Sequence, residues 1–215
     1  MDIYLVQPSS ICFSETLRIW YQAIISSIYH KSKDEIELEL AQVRKAQEHP
    51  HDFAPIYNKY YDEIFVYISR RVENLDVVAE LTSKTFTSCL SNLPKFKYMG
   101  VPFSAWLYKI AINEVRQFFR TRKNHPRTVC LSDKDFLAIT QETVEASKYD
   151  LAHELVPKLL STLSEKDLEC IEMRFFEKKS FKEIGFALGL TEVNAKVRTY
   201  RILKKLKKIA PKIAL

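Results

Sequence analysis

The C-terminal part of the chain carries hydrogen-bonding side chains at the spacing of one helix face. Its positions i, i+4, i+7 and i+11 hold Asn194, Arg198, Arg201 and Lys205. This spacing places side chains along one side of an α-helix. Arginine and asparagine make bidentate hydrogen bonds to guanine and adenine edges, whereas lysine suits phosphate oxygens. The pattern therefore predicts a surface that reads double-stranded DNA.

Two capped helices separated by a glycine are expected to hold this face. Ser180 and Glu183 form a Ser-x-x-Glu capping box, Gly189 ends the helix that they begin, and Thr191 caps the next helix. Gly185 removes a side chain where the two helices approach closely. The core-facing stripe of the second helix consists of Ala195, Thr199, Ile202, Leu206 and Ile209. These features predict a helix-turn-helix, and they weigh against an ordinary helical hairpin with a cationic surface.

A second basic segment, Lys95 to Arg127, combines cations with aromatic residues. It contains eight Lys/Arg and one acid, Glu114. Bases that leave a duplex need stacking surfaces and polar edges in a cationic groove, so a contact with single-stranded DNA is predicted here. We assign Phe103 and Trp106 to core packing, and Tyr98, which is in a loop, to base stacking.

Composition favours an all-helical protein without enzyme chemistry. The 215 residues include only three glycines, and the turn signals of β-hairpins are missing. The four cysteines form no CxxC pair, and no P-loop, GxSxG, HExxH or Rossmann glycine pattern occurs, so we expect no metal site, no cofactor and no catalytic centre. No apolar stretch reaches the roughly 18–20 residues that cross a bilayer, and the N-terminus lacks a basic signal-peptide region. We expect a cytoplasmic protein that does not insert into the membrane.

Apolar periodicity predicts four helices and then an acidic linker. The helices run over about 34–48, 52–71, 75–93 and 103–122, and the second has a buried stripe of Phe53, Ile56, Tyr60, Ile64, Tyr67 and Ile68. Between Leu131 and Glu154 six acids face two lysines, which is typical of a linker. The predicted fold is all-α, with two small helical domains joined by a flexible acidic linker. The boundaries are an unassigned extension 1–35, a first domain 36–124, a linker 125–152 and a second domain 153–215.

The chain resembles the extracytoplasmic-function (ECF) group of bacterial sigma factors, the dissociable promoter-recognition subunits of RNA polymerase. The resemblance covers about residues 36–209. In the second domain it is carried by Leu163-Ser164, Met173–Phe176, Ser180–Ile184, Leu188–Thr191 and Ala195–Arg198. In the first it is carried by Leu81–Ser83, Thr85-Phe86, Leu93-Pro94, Phe96, Pro102–Ala111, Asn113 and Arg120.

The resemblance implies two contacts with promoter DNA. The second domain, sigma region 4, would read the minus-35 element through Thr191, Asn194, Lys196, Arg198, Thr199, Arg201 and Lys205. The first domain, sigma region 2, would bind the melted minus-10 strand through Phe96, Lys97, Tyr98, Asn113, Arg116, Gln117 and Arg120. The segment from Phe96 to Phe103, here called the capture loop, would hold a flipped-out base.

The resemblance also implies a contact with core RNA polymerase, through Glu80, Leu81, Ser83 and Lys84. The family usually has two adjacent acids before the leucine and an acid where this chain has Lys84. This chain has Ala79-Glu80 and Ser83-Lys84, and Gln117 stands where the family often has Asp. The implied partners are core RNA polymerase and promoter DNA, as duplex and as melted strand. An anti-sigma factor is a further candidate partner.

The implied function is that of a sigma factor, which binds core polymerase, recognises the minus-35 and minus-10 elements and initiates transcription. A stand-alone helix-turn-helix regulator that binds only duplex DNA is the alternative, and an enzyme with an appended DNA-binding domain is a third. The aromatic and basic segment Lys95 to Arg127 favours the sigma factor, because a regulator of duplex DNA has no use for a single-strand groove.

Overall fold

A computed structural model describes residues 32–121 and 155–213 of the chain. Within these two ranges every regular element is a helix, which confirms the predicted all-α class. The predicted extension up to residue 31 and the whole of the predicted linker, 125–152, lie outside the described residues. No helix in the described ranges is long and apolar enough to cross a membrane.

The first helix group consists of four α-helices: α1 is Lys33–Glu48, α2 is Ala54–Ser69, α3 is Leu75–Asn92 and α4 is Phe103–Thr121. Short 3-10 turns, Pro50–Phe53 and Leu93–Lys95, precede α2 and follow α3. The bounds agree closely with those that apolar periodicity predicts. Every member of the predicted stripe of the second helix is buried, because residues at i, i+4 and i+7 share one face.

Capping side chains fix where α1 and α3 begin. Ser32 and Glu35 form a complete capping box at the start of α1, with bonds of 3.1 and 2.8 Å. At the start of α3, the Asn74 side-chain oxygen accepts hydrogen bonds from the amides of Asp76 and Val77. Each cap satisfies amides that have no partner within the helix, and losing one typically costs about 1 kcal/mol.

The second helix group consists of α5 (residues 155–161), α6 (Glu165–Phe175), α7 (Phe181–Leu188) and α8 (Glu192–Ile213). The predicted capping box of Ser180 and Glu183 begins α7, and Thr191 accepts a hydrogen bond from the Asn194 amide at 3.1 Å. Helices α7 and α8 form the predicted helix-turn-helix.

Two glycines determine the turn of the helix-turn-helix. Gly189 ends α7 with φ +71°, a left-handed conformation that other residues adopt at a cost. A Cβ on Gly185 would lie 2.8 Å from the Leu190 carbonyl oxygen, so glycine allows the backbone after the turn to approach α7. The predicted close approach at Gly185 is confirmed, and the neighbour is the turn itself.

The two helix groups pack against each other along α4 and α7. Tyr108 of α4 is completely buried, and Lys179 Nζ of the second helix group lies 4.5 Å from its ring centroid. Next to Tyr108 in the chain, Lys109 Nζ lies 5.1 Å from the ring centroid of Phe186 in α7. The apolar residues of both groups therefore belong to one continuous core, which places α6 and α7 over the surface of α4.

Candidate nucleic-acid interfaces

Helix α8 and the residue that caps it present an exposed polar face. The predicted DNA-contacting residues that are exposed there are Thr191, Asn194, Lys196, Arg201 and Lys205. Thr191 also caps the helix, and Lys205 Nζ reaches the Thr162 carbonyl oxygen at 3.3 Å. A helix N-terminus with exposed Asn and Arg fits the major groove, where such side chains read base edges.

Arg198 is half-buried and is held by an acid of α6. Its Nε donates to Asp167 Oδ1 at 2.8 Å. Burial by itself would raise the pKa of the Asp167 carboxyl, but hydrogen bonds from Arg198 and Ser164 outweigh it and hold that pKa below its usual value. The bond engages Nε, while the two terminal nitrogens, which bind guanine bidentately, take no part in it. Asp167 therefore orients Arg198 on the exposed side of α8.

Thr199 lies in the core, so its predicted contact with DNA is wrong. Its side chain is fully buried, its hydroxyl donates to the Ala195 carbonyl at 2.9 Å, and it lies 3.2 Å from Cys170 Sγ. The reason is periodicity: Thr199 is four residues after Ala195 and three before Ile202, both of which face the core. It supports α8 from the inside.

The capture loop has packed aromatic residues at its two ends and exposed residues at its tip. Phe96 is half-buried, with its ring centroid 5.3 Å from that of Phe103 and 5.0 Å from that of Trp106. Phe103 is fully buried, which confirms its assignment to the core. Lys97 is exposed and Tyr98 is 48% exposed. Of the predicted loop contacts, Tyr98 and Lys97 are therefore available to a nucleic acid, whereas Phe96 mainly packs beneath them.

The other predicted minus-10 residues share one face of α4, where Asn113, Gln117 and Arg120 are exposed. Arg116 lies between them but is engaged by the second helix group. Its Nε and Nη2 donate to the two carboxylate oxygens of Glu169 in α6 at 2.8 and 2.6 Å. The hydrogen bonds to Glu169 raise the pKa of Arg116. One of the predicted DNA contacts is therefore occupied by an acid of the chain itself.

Sequence reasoning missed the polar contacts between the two helix groups. Arg71 Nε donates to Glu172 Oε2 at 2.8 Å, and Arg70 and Tyr108 both bond the Glu177 carboxylate. Burial raises the pKa of the Glu172 carboxyl, and the charge of Arg71 counteracts part of that rise. The available signal was an excess of acids on α6 and just after it, at a period that places several on one face. Their partners lie 69 to 107 residues away in the chain, so no local pattern connects them.

The predicted polymerase-binding residues lie on α3, and one of them is buried. Glu80, Ser83 and Lys84 are exposed, and Lys84 Nζ lies 2.6 Å from Glu80 Oε1. Leu81 is 3% exposed and belongs to the core, so its predicted contact with polymerase is wrong. Its place between core-facing Val78 and Thr85 explains this burial. Leu81 anchors α3, and the surface beside it is the part that a partner can touch.

Comparisons with known proteins match both helix groups to one family. The family models "Sigma-70 region 2" and "Sigma-70, region 4" match residues 56–125 and 159–208, together more than half of the chain. The ECF RNA polymerase sigma factor BldN of Streptomyces coelicolor is 27% identical over 159 residues, 74% of this chain but only 60% of BldN. The RNA polymerase sigma factor YlaC of Bacillus subtilis is 27% identical over 164 residues, 73% of this chain and 92% of YlaC.

A solved structure shows the same fold. CnrH, determined in complex with the cytosolic domain of CnrY, superposes with a TM-score of 0.56 at 20% identity, over 81% of this chain and 97% of CnrH. In the part of the chain that the structure describes, no group of three His, Cys, Asp or Glu side chains has the geometry of a metal site. The two matched regions, their order and these relatives lead to one conclusion: the chain belongs to the extracytoplasmic-function subfamily of the sigma-70 family of RNA polymerase sigma factors.

Proposed function

We propose that this chain binds core RNA polymerase, holds the minus-35 element as duplex and the minus-10 element as melted strand, and so initiates transcription without chemistry of its own. The observation that carries the proposal is the presence of two different cationic surfaces on one chain. One is a helix face suited to the major groove. The other is an α4 face beside a loop with an exposed tyrosine, which suits unstacked bases.

At the minus-35 element, α8 is the recognition helix. Arg198, which Asp167 orients, and Arg201 supply contacts to guanine, and Asn194 suits adenine. Lys196 and Lys205 bind phosphates, which positions the helix without reading sequence. Thr191 contributes through its cap at the start of α8, next to the DNA backbone.

At the minus-10 element, Tyr98 stacks on a base that has left the duplex and Lys97 neutralises the adjacent phosphate. Asn113, Gln117 and Arg120 line the path of the strand along α4. Base stacking on an aromatic side chain is typically worth about 1–3 kcal/mol, enough to make the capture of a single base measurable.

The polymerase contact uses α3 through Glu80, Ser83 and Lys84. The proposed division is a first domain 36–124, a linker 125–152 and a second domain 153–215, in a protein of the cytoplasm. An anti-sigma partner is also proposed, because CnrH was solved with the cytosolic domain of CnrY.

The two helix groups must separate for the chain to bind both elements. The elements are centred about 25 base pairs apart, which is about 85 Å of duplex at about 3.4 Å per base pair. Here α4 and α7 are in direct contact, and Arg116 is bound to Glu169. The roughly 33 residues between Thr121 and Leu155 reach up to about 110 Å when extended. The structure therefore corresponds to a closed form of the free chain.

The test is run-off transcription from a library of duplex DNA with randomised minus-35 and minus-10 elements, using bacterial core polymerase with and without the chain. Defined transcripts that need the chain, from templates that share both elements, support the proposal. The alternative is a stand-alone regulator of duplex DNA, and it predicts tight binding of duplex DNA without core polymerase and no transcript. That result would refute the sigma-factor function.

A further inference from the structure

The capture loop is tied at both ends to α1, a helix that carries none of the predicted DNA contacts. We infer that Gln47 and Glu39 of α1 are positioning residues for the melted minus-10 strand, because they fix the two ends of the loop that carries Tyr98. This inference rests on the proposed function of the capture loop. It adds α1 to the parts of the chain that determine how well a promoter is opened.

Gln47 holds the start of the loop. Its side-chain nitrogen donates two hydrogen bonds, to the Leu93 carbonyl at 2.9 Å and to the Phe96 carbonyl at 3.0 Å. An amide NH2 group has two hydrogens, so both are used on backbone acceptors of this one turn. The turn that ends α3 is thereby connected to a helix almost fifty residues earlier in the chain.

Glu39 holds the end of the loop. Its side chain is almost completely buried, and Oε2 accepts a hydrogen bond from the Phe103 amide, the first amide of α4, at 3.1 Å. Oε1 accepts from Lys59 Nζ at 3.1 Å and from the Tyr60 hydroxyl. A carboxylate at a helix N-terminus is stabilised by the helix dipole and by charge-assisted hydrogen bonds. These donors compensate the burial of the charge.

Between these two hydrogen-bonded ends, only the short tip of the capture loop can change its conformation. Lys97 and Tyr98 are exposed, Met99 is 65% exposed, and Gly100 has φ +73°. A short segment with both ends fixed samples few conformations, so less entropy is lost when it binds a ligand. The two α1 side chains therefore present Tyr98 in a form already suited to a base that leaves the duplex.

Apolar packing alone does not account for these polar contacts. The core contacts of α1 are made by Val43 and Ala46, which are 1% and 2% exposed. Gln47 and Glu39 instead form hydrogen bonds with backbone atoms at the two ends of the capture loop and in the turn just before it. This loop is the segment that the proposed function places against DNA. These two side chains therefore fix the position of the capture loop and are not needed to attach α1 to the core.

The test compares Gln47→Glu with Ala41→Glu, which adds the same charge on the exposed side of α1. In Gln47→Glu the carboxylate faces two carbonyl oxygens, so the start of the loop is released. Open complexes are formed with core polymerase on a promoter selected from the randomised library. Each non-template position of the minus-10 element is made abasic in turn, and open-complex stability is measured. Binding of core polymerase and of a minus-35 duplex, with thermal unfolding, serves as the check on folding.

With wild-type chain, removing the captured base is expected to reduce open-complex stability about tenfold. On the intact promoter, open complexes of Gln47→Glu are expected to be about tenfold less stable than those of wild type. The abasic site should reduce their stability little further, because the loop of this variant no longer holds the base. Ala41→Glu should behave like wild type, and core and minus-35 binding should not change.

If Gln47→Glu stays as sensitive to the abasic site as wild type, the positioning role is wrong. If wild type itself is insensitive at every position, base capture by the loop fails instead, so the two failures are distinguishable.

Glu39→Gln provides a second variant if Gln47→Glu unfolds. The glutamine keeps an oxygen that accepts from the Phe103 amide but loses the charge, so a smaller reduction of about threefold is expected. Its matched control is Glu37→Gln, which removes an exposed charge from the same helix and should leave open-complex stability unchanged. Equal effects of both variants would show that net charge on α1, and not the tie to the loop, is responsible.

Discussion

Replacing Glu169 by glutamine is expected to open the contact between the two helix groups. The Glu169 side chain is 1% exposed and binds both Nε and Nη2 of Arg116, whose side chain is 33% exposed. The glutamine has one oxygen and no charge, so at least one charge-assisted bond is lost and Arg116 faces a neutral group. The closed form should lose stability relative to the open form, since the pair exists only when α4 and α6 are together.

The size of the effect follows from the burial of the pair. Removing one partner of a buried, hydrogen-bonded ion pair typically costs about 2–5 kcal/mol. Arg116 keeps part of its hydration, so the lower limit of about 2 kcal/mol applies. A difference of that size lowers the ratio of closed to open chains roughly thirtyfold. A chain that is 99% closed would become about one quarter open.

The assay is single-molecule energy transfer between dyes at exposed Ser91 in α3's last turn and exposed Lys207 in α8, attached through unnatural amino acids. Glu169→Gln should add a population with low transfer efficiency. Glu80→Gln is the matched control, because it removes the same charge from an exposed pair on α3, away from α6 and α7, and should not change the distribution. Identical distributions for Glu169→Gln and wild type would refute the reasoning.

Four further predictions concern the helix-turn-helix and α3. Arg198→Ala should reduce binding to a minus-35 duplex by about 1–3 kcal/mol while core binding, measured by fluorescence anisotropy, is unchanged. Thr199→Val should leave minus-35 sequence preference unchanged and lower only the midpoint of thermal unfolding, because Thr199 is buried; an altered preference in a binding-site selection would contradict this. Gly185→Ala should destabilise the second helix group by about 1–3 kcal/mol in urea unfolding, since the Cβ would press on backbone oxygen 2.8 Å away. Lys84→Glu should increase core affinity several-fold, because it frees Glu80 from its ion pair and places at this contact position the acid found in the family. Weaker binding would contradict this and show that polymerase recognises the positive charge of Lys84.

Helix positions were predictable because their determinants are local. The apolar stripe of α2 and the caps at Ser180 and Thr191 define helix faces and ends within a few residues of sequence. The left-handed Gly189 was equally visible, because a glycine between two caps has few other roles. The same period of 3.6 also placed Thr199 in the stripe of α8, so its assignment to DNA conflicted with the pattern from the outset.

The contacts between the helix groups were not predictable in the same way. Arg116 has the same sequence signature whether it faces DNA or Glu169, because a cation on a helix face attracts either a phosphate or a carboxylate. Leu81 shows a related ambiguity, since a leucine in a family motif can either contact polymerase or anchor its helix in the core. Only its position among packed helices identifies it as an anchor. The ties from Gln47 to the capture loop likewise join segments far apart in the chain.

The bond between Arg116 and Glu169 means that the free chain carries a competitor for its own DNA. Phosphate and carboxylate bind the same guanidinium, and the carboxylate is present at the high effective concentration of an attached group. Added salt weakens both the ion pair of Arg116 with phosphate and its ion pair with Glu169. The free energy of DNA binding that is lost through weaker phosphate contacts is therefore partly recovered, because less free energy is needed to open the chain. The free chain should therefore show a shallower dependence of DNA affinity on salt than its phosphate contacts alone would give. Holoenzyme, in which the proposed function requires the two groups to separate, should recover the full slope.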